Sequence, residues 1–200
     1  PNGPTRDLAQ QQLTWRKSAA AAPALEKLAA EATLPQVRAQ ALWTLETTDT
    51  LTPSVVSSAL RDRHPGVRRQ AVRLGDRFAT SNPELLSAII PLADDPDATV
   101  RQQVAYSLGE WHAPAAGTAL ARLARESEDP FILAAAMSSA LPHADTMIAQ
   151  MNAVGGANRM LIELILATQN TKALGEVLKS IGTPNNPSAR AQQFASMSEV

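Results

Sequence analysis

The stretch Asp94-Asp95-Pro96-Asp97-Ala98-Thr99-Val100-Arg101-Gln102-Gln103-Val104-Ala105-Tyr106-Ser107-Leu108-Gly109 decides the fold. Asp95-Pro96 reads as a capping residue followed by a proline at the first helical position, where a fixed φ and a missing N–H cost nothing. Beyond it Arg101, Val104 and Leu108 follow the pattern Arg-x-x-small-x-x-x-Leu, which predicts a helix over 98–111. The same pattern recurs as Arg6…Ala9…Leu13 and Arg38…Ala41…Leu45, with Arg68…Ala71 between, so the arginines stand 32, 30 and 33 residues apart. A period of that size identifies a repeat architecture. The copy at Arg68 has Gly75 where Leu is expected and Leu74 one place early, so a one-residue slip is expected there.

Proline punctuates each repeat. Pro35, Pro65 and Pro96 precede the repeated arginines, whereas Pro23, Pro53, Pro83 and Pro114 fall about midway between them. Each repeat therefore divides into two helices. Thr52-Pro53 and Asn82-Pro83 carry the same start signal as Asp95-Pro96. First helices are predicted near 5–16, 35–47, 66–79, 98–111 and 131–141, and second helices near 23–32, 53–61, 83–93, 115–126 and 145–154. A sixth pair is expected near 157–169 and 172–181, and 183–200 reads as a polar tail or linker. Helices of this length are marginal alone and must stack. No β-branched run of strand length recurs between them, so the class is all-α.

Composition agrees. Ala and Leu dominate, while aromatic residues reach only 4%, a balance that favours helix over sheet. With 18 basic and 19 acidic residues the net charge is −1, which disfavours nucleic acid as a default partner. The absence of Cys removes disulfides, thiolate nucleophiles and Cys-ligated metal from these residues. No apolar run approaches the roughly 18 residues of a membrane span. The start at Pro1, without Met, reads as a segment cut from a longer chain.

Residues 94–109 resemble a HEAT repeat almost position for position. Asp62-Arg63-His64-Pro65-Gly66-Val67-Arg68-Arg69-Gln70-Ala71-Val72 is a second good copy and Leu34 to Leu45 a third. Later copies depart: Ile132-Leu133 stands where Val-Arg is expected. The resemblance implies an α-solenoid of about five to six antiparallel helix pairs over 1–182, acting as a noncatalytic scaffold for a protein partner or for flanking domains.

A narrower resemblance rests on Asn2 to Gln10, Pro23 to Leu28 and Ala39 to Leu45. These are similar to the HEAT region of large secreted multidomain proteins of planctomycetes and verrucomicrobia, described as membrane-bound dehydrogenases with a haem-binding cytochrome c domain. That resemblance implies a periplasmic or otherwise extracytoplasmic location. It also implies that any haem c belongs to the parent protein, because this chain holds no Cys-x-x-Cys-His and needs no cofactor of its own. The alternative is a HEAT-like nucleic-acid-binding module or DNA glycosylase, which the balanced charge and single Tyr disfavour.

In a HEAT stack the repeated arginine commonly reaches an Asp of its own or the neighbouring repeat. The resemblance therefore implies that Arg38, Arg68, Arg101, Asp62 and Asp95 form a ladder of partly buried ion pairs. Removing one partner would then cost about 3 kcal/mol. The sharpest local anomaly is basic: Arg61, Arg63, His64, Arg68, Arg69, Arg73 and Arg77 face only Asp62 and Asp76. On a helix Arg69, Arg73 and Arg77 share one face and could bind phosphate or an acidic partner surface. The other reading is a solvated face paired with Glu46, Glu84 or a neighbouring domain.

Trp15, Phe78 and Trp111 lie nine or ten residues past Arg6, Arg68 and Arg101, which predicts core or capping roles, and Trp43 also reads as core. Met137, Met147, Met151 and Met160 read as gap fillers, and Gly155-Gly156 as a helix end. His64, His112 and His143 are too scattered to converge on a metal. No motif carries catalysis.

Overall fold

The computed structural model describes residues 3–153, 162, 165–166, 169 and 171–182. Among the described residues every regular element is helical, and the chain divides into two compact units, residues 1–107 and 108–200.

In the first unit α1 (Gly3–Arg16), α3 (Pro35–Thr47), α5 (Pro65–Gly75) and α7 (Ala98–Ser107) are the first helices of successive repeats and pack side by side in that order. The second helices are α2 (Ala22–Glu31), α4 (Pro53–Ala59) and a segment over 83–94. The expected single helix at 83–93 is broken. It consists of a 3-10 turn at Pro83–Leu85, a short α6 (Leu86–Ile89) and a 3-10 stretch at Ile90–Asp94. Pro91 explains the break, since it donates no N–H and its ring crowds the carbonyl four residues back. Leu85, Leu86 and Ile89 are nevertheless buried as their spacing requires.

In the second unit α8 (Pro114–Glu126) packs on α9 (Pro130–Ser138) and α10 (Ala144–Ala153), and α11 (Thr171–Gly182) packs on α10. The last helix matches the second member of the predicted sixth pair. Its first member, Gly155-Gly156 and the tail at 183–200 lie wholly or largely outside the described residues. Gly117 lets α8 and α10 approach closely, because a Cβ there would stand 2.9 Å from Thr146 Cβ and 3.1 Å from His143 Cβ. Among the described residues no single helix is long and apolar enough to cross a membrane; the apolar pair Pro130–Ser138 and Leu141–Gln150 is bent by 71°.

Two local expectations are corrected. No slip occurs at Gly75. Helix α5 runs uninterrupted, and Gly75 occupies the buried place of Leu45 and Leu108, where Ile89 Cδ1 would stand 3.1 Å from an added Cβ. The side chains of Ile89, Leu85 and Val56 fill the space a leucine would take. The start signals also differ in detail. Thr52 caps α4 through Val55 N, but Asn82 makes no side-chain cap. At α7 the cap is Asp97, whose Oδ1 accepts from Thr99 N at 2.9 Å, and Pro96 precedes it. Asp95 is unavailable as a cap because its carboxylate is engaged elsewhere.

Candidate functional site: an arginine ladder and a basic helix face

The ladder places each arginine between two repeats. Arg38 at the start of α3 donates Nε and Nη2 to the Asp62 carboxylate of the following turn, at 2.6 and 2.7 Å. Arg68 at the start of α5 does the same to Asp95, at 2.7 and 2.6 Å. Such fork-to-fork pairs fix orientation as well as distance. The structure thus resolves which Asp is reached: the one in the next repeat's turn. All four side chains are nearly enclosed, with Arg38 and Asp95 each only 3% exposed. Breaking a pair leaves an uncompensated charge in a poor solvent.

The remaining arginine nitrogen ties down the turn before its own helix. Nη1 donates to the carbonyl six residues back: Arg38 to Ala32 O at 2.7 Å, Arg68 to Asp62 O at 3.0 Å and Arg101 to Asp95 O at 2.7 Å. Asp62 and Asp95 also accept from the backbone N–H two residues on, at 2.8 and 2.9 Å. Burial pushes the Asp62 carboxyl up, yet the bonds from Arg38 and His64 N outweigh it and hold the group below the usual carboxylate range. The Arg38 and Arg68 guanidinium groups are pushed up by their carboxylate partners. Within its unit Arg101 makes the carbonyl half of the motif, to Asp95 O and Pro96 O.

Arg69 and Arg73 on α5 and Arg77 in the 3-10 turn Asp76–Phe78 that follows it have separate fates. Arg77 forms an ion pair with Glu46 of α3. Arg73 lies over the Trp43 ring, 5.4 Å from its centroid, a cation–π contact that leaves its charge outward. Arg69 is exposed, and among the described residues neither Arg69 nor Arg73 has a carboxylate partner. Trp43 is therefore not a core residue. It is half-buried in the α3–α5 seam, where its Nε1 donates to Gln70 Oε1 at 3.0 Å.

Phe78 and Trp111 are buried as expected, at 9% and 2% exposure, but Trp15 is 73% exposed. Trp15 stands on α1, a helix that buries none of its residues, whereas Phe78 and Trp111 lie past the ends of α5 and α7, where the chain turns back over the core. Met147 is buried and Met137 half-buried, whereas the side chains of Met151 and Met160 lie outside the described set. His143 is buried with Nε2 3.0 Å from Leu108 O, and burial pushes its imidazole below the ordinary value. Among the described residues no group of His, Asp and Glu could hold a metal.

Sequence reasoning missed one feature. A groove of about 610 Å³ runs between α2 and α4 over the Arg38–Asp62 pair, with Glu26 and Glu31 on one rim and Arg61 and Arg63 on the other. Its signal was the charge on α2 and in the turn after α4, which the arginine pattern of the first helices overshadowed.

Residues 52–140 match the family described as HEAT repeats. No curated protein matches the chain. The matched segment contains the Arg68–Asp95 rung, the arginine face of α5 and the helices α4 to α9, and with the stacked helix pairs around it this identifies residues 52–140 as HEAT repeats.

Proposed function

We propose that this chain is a noncatalytic interaction module, with residues 1–182 as its working solenoid and 183–200 as a linker, and that it binds an acidic segment of a protein partner on the outer face of α5. The observation that supports this reading most is the exposed pair Arg69 and Arg73, one helical turn apart. Trp43 stacking holds Arg73 in place and reduces the entropy lost on binding. Arg77, paired with Glu46, ends the stripe and positions it rather than contributing a free charge.

The test compares partners captured from the source organism by the unaltered protein, by Arg69→Glu/Arg73→Glu and by Arg77→Ala. The reading expects the captured species to be lost from the double variant and kept by Arg77→Ala. Equal capture by all three would return the stripe to a solvated face. Steeply salt-dependent binding of duplex DNA would instead favour the nucleic-acid reading.

The resemblance over residues 2–45 supports a finer proposal, that the module is part of a larger extracytoplasmic haem-binding dehydrogenase. The residues present do not fit haem c attachment, since there is no Cys to form a thioether. Any redox chemistry would belong to other domains, and this module would position them. The sequence of the full-length product tests this: a Cys-x-x-Cys-His motif and an upstream signal peptide are expected, and the absence of both would remove the proposal.

A further inference from the structure

The groove between α2 and α4 carries a charge arrangement that the arginine ladder does not use. Leu42, Ala29 and Ala59, all buried, give it a small apolar floor. The Arg38–Asp62 pair that also lines it is neutral as a unit, and Arg38 commits Nε, Nη1 and Nη2 to Asp62, Ala32 and Thr33. The rims therefore set the sign of the groove. Glu26 and Glu31 stand on α2, Arg61 and Arg63 stand in the turn after α4, and all four are exposed. Among the described residues no ion pair joins the two rims: Glu31 lies 4.0 Å from Lys27 of its own helix, and Arg61 donates to Ser57 on its own side. Opposite charges thus flank an apolar floor without meeting.

We infer that this groove binds an extended segment of a partner protein in which one apolar residue is flanked by a basic and an acidic residue. An acidic segment would meet Glu26 and Glu31, a basic one Arg61 and Arg63, and either like-charge contact opposes binding. An occupant carrying both signs satisfies both rims. Length excludes a free amino acid. Its ammonium and carboxylate share one Cα, whereas helices packed side by side stand about 8–10 Å apart. In an extended segment the two residues flanking a central one are about 7 Å apart and point to the face opposite the central side chain. The central residue then seats on Ala29 and Ala59, while the flanking side chains lie along the walls with their charged ends at the two rims. Ser58, exposed on the α4 wall, offers a hydroxyl to the segment's backbone. No residue of α5 lines the groove, so this segment is distinct from the acidic one proposed for Arg69 and Arg73.

NMR titration of the whole chain tests this with two mixed peptides, acetyl-Lys-Leu-Asp-amide and acetyl-Asp-Leu-Lys-amide. At least one of them, according to the direction in which the segment runs, should give saturable shifts at Ala29, Ala30, Val55 and Ala59. It should bind about tenfold more tightly than acetyl-Asp-Leu-Asp-amide or acetyl-Lys-Leu-Lys-amide. Reversing one rim should exchange the preference rather than abolish binding. Glu26→Lys/Glu31→Lys should select the diacidic peptide, and Arg61→Glu/Arg63→Glu the dibasic one. Should the arginine reversal beside Asp62 disturb the fold, the glutamate reversal alone carries the test. Ser58→Trp fills the groove without changing its charge and should weaken the mixed peptide by about tenfold or more. Arg69→Glu/Arg73→Glu should leave that binding unchanged, which separates this result from the fate of the α5 face. No saturable shift from either mixed peptide, equal binding of all the peptides, or a preference that survives rim reversal would overturn the inference.

Discussion

The turns leading into α5 and α7 and the turn leading into α3 share one backbone arrangement, yet only two of the three complete the ladder. In all three an arginine bonds the carbonyl six residues before it, at Ala32, Asp62 and Asp95. At Asp62 and Asp95 the same residue also supplies the carboxylate that receives the preceding repeat's arginine. At the first turn it is Ala32, and Arg6, the arginine in register with it, is left with a buried Nε that has no partner. The carbonyl half is thus a property of the backbone and survives any side chain. The carboxylate half depends on one residue per repeat.

The largest effect should come from removing that residue where the rung is complete. Asp95→Ala strands Arg68 and frees Asp97 N, and should cost about 3 kcal/mol in chemical denaturation. A loss under about 0.5 kcal/mol, typical of surface changes, would show that the rung does not hold the repeats together. The second unit relies on close approach instead. Gly117→Ala drives a Cβ into Thr146 and should cost about 2 kcal/mol. Full tolerance there would mean that α8 and α10 can part freely.

A smaller effect separates the two regions by pH. His143 is held below its ordinary value in the fold, so the unfolded chain binds the proton more readily. Its contribution is complete above the ordinary value near 6.5 and declines as pH falls below it. Asp62 is also depressed, but its contribution is kept down to the ordinary carboxylate value and is lost only as pH falls through the folded one. Stability measured against pH should therefore fall in two acid steps. His143→Gln should remove the upper step and Asp62→Asn should reduce the lower, which Asp97 and Asp49, also held low by their bonds, share; a single step unaffected by His143→Gln would contradict the assignment.

Much of this was legible in the residues. The arginine period and the prolines located nearly every helix, because each repeat restates the same caps and the same apolar spacing. The ladder partners were legible too, though not which repeat supplied the carboxylate, since that depends on how neighbouring turns stack. What failed depended on single residues. Pro91 breaks a segment whose apolar spacing alone reads as one helix. Trp15 is on a helix that buries nothing, whereas Trp111 lies beyond the end of α7 and is buried, so the shared place after the arginine did not give a shared environment. The seating of Arg73 on Trp43 joins residues 30 positions apart and leaves no local pattern.

The account rests on one residue per turn deciding whether an arginine rung closes, and a double-mutant cycle at the incomplete rung tests it most directly. Ala32→Asp should stabilise the protein by about 1 kcal/mol when Arg6 is present, by supplying the missing charge-assisted bond. The gain should vanish in an Arg6→Met background. An equal change in both backgrounds, or a loss of stability in the first, would contradict the register that the three shared carbonyl bonds define.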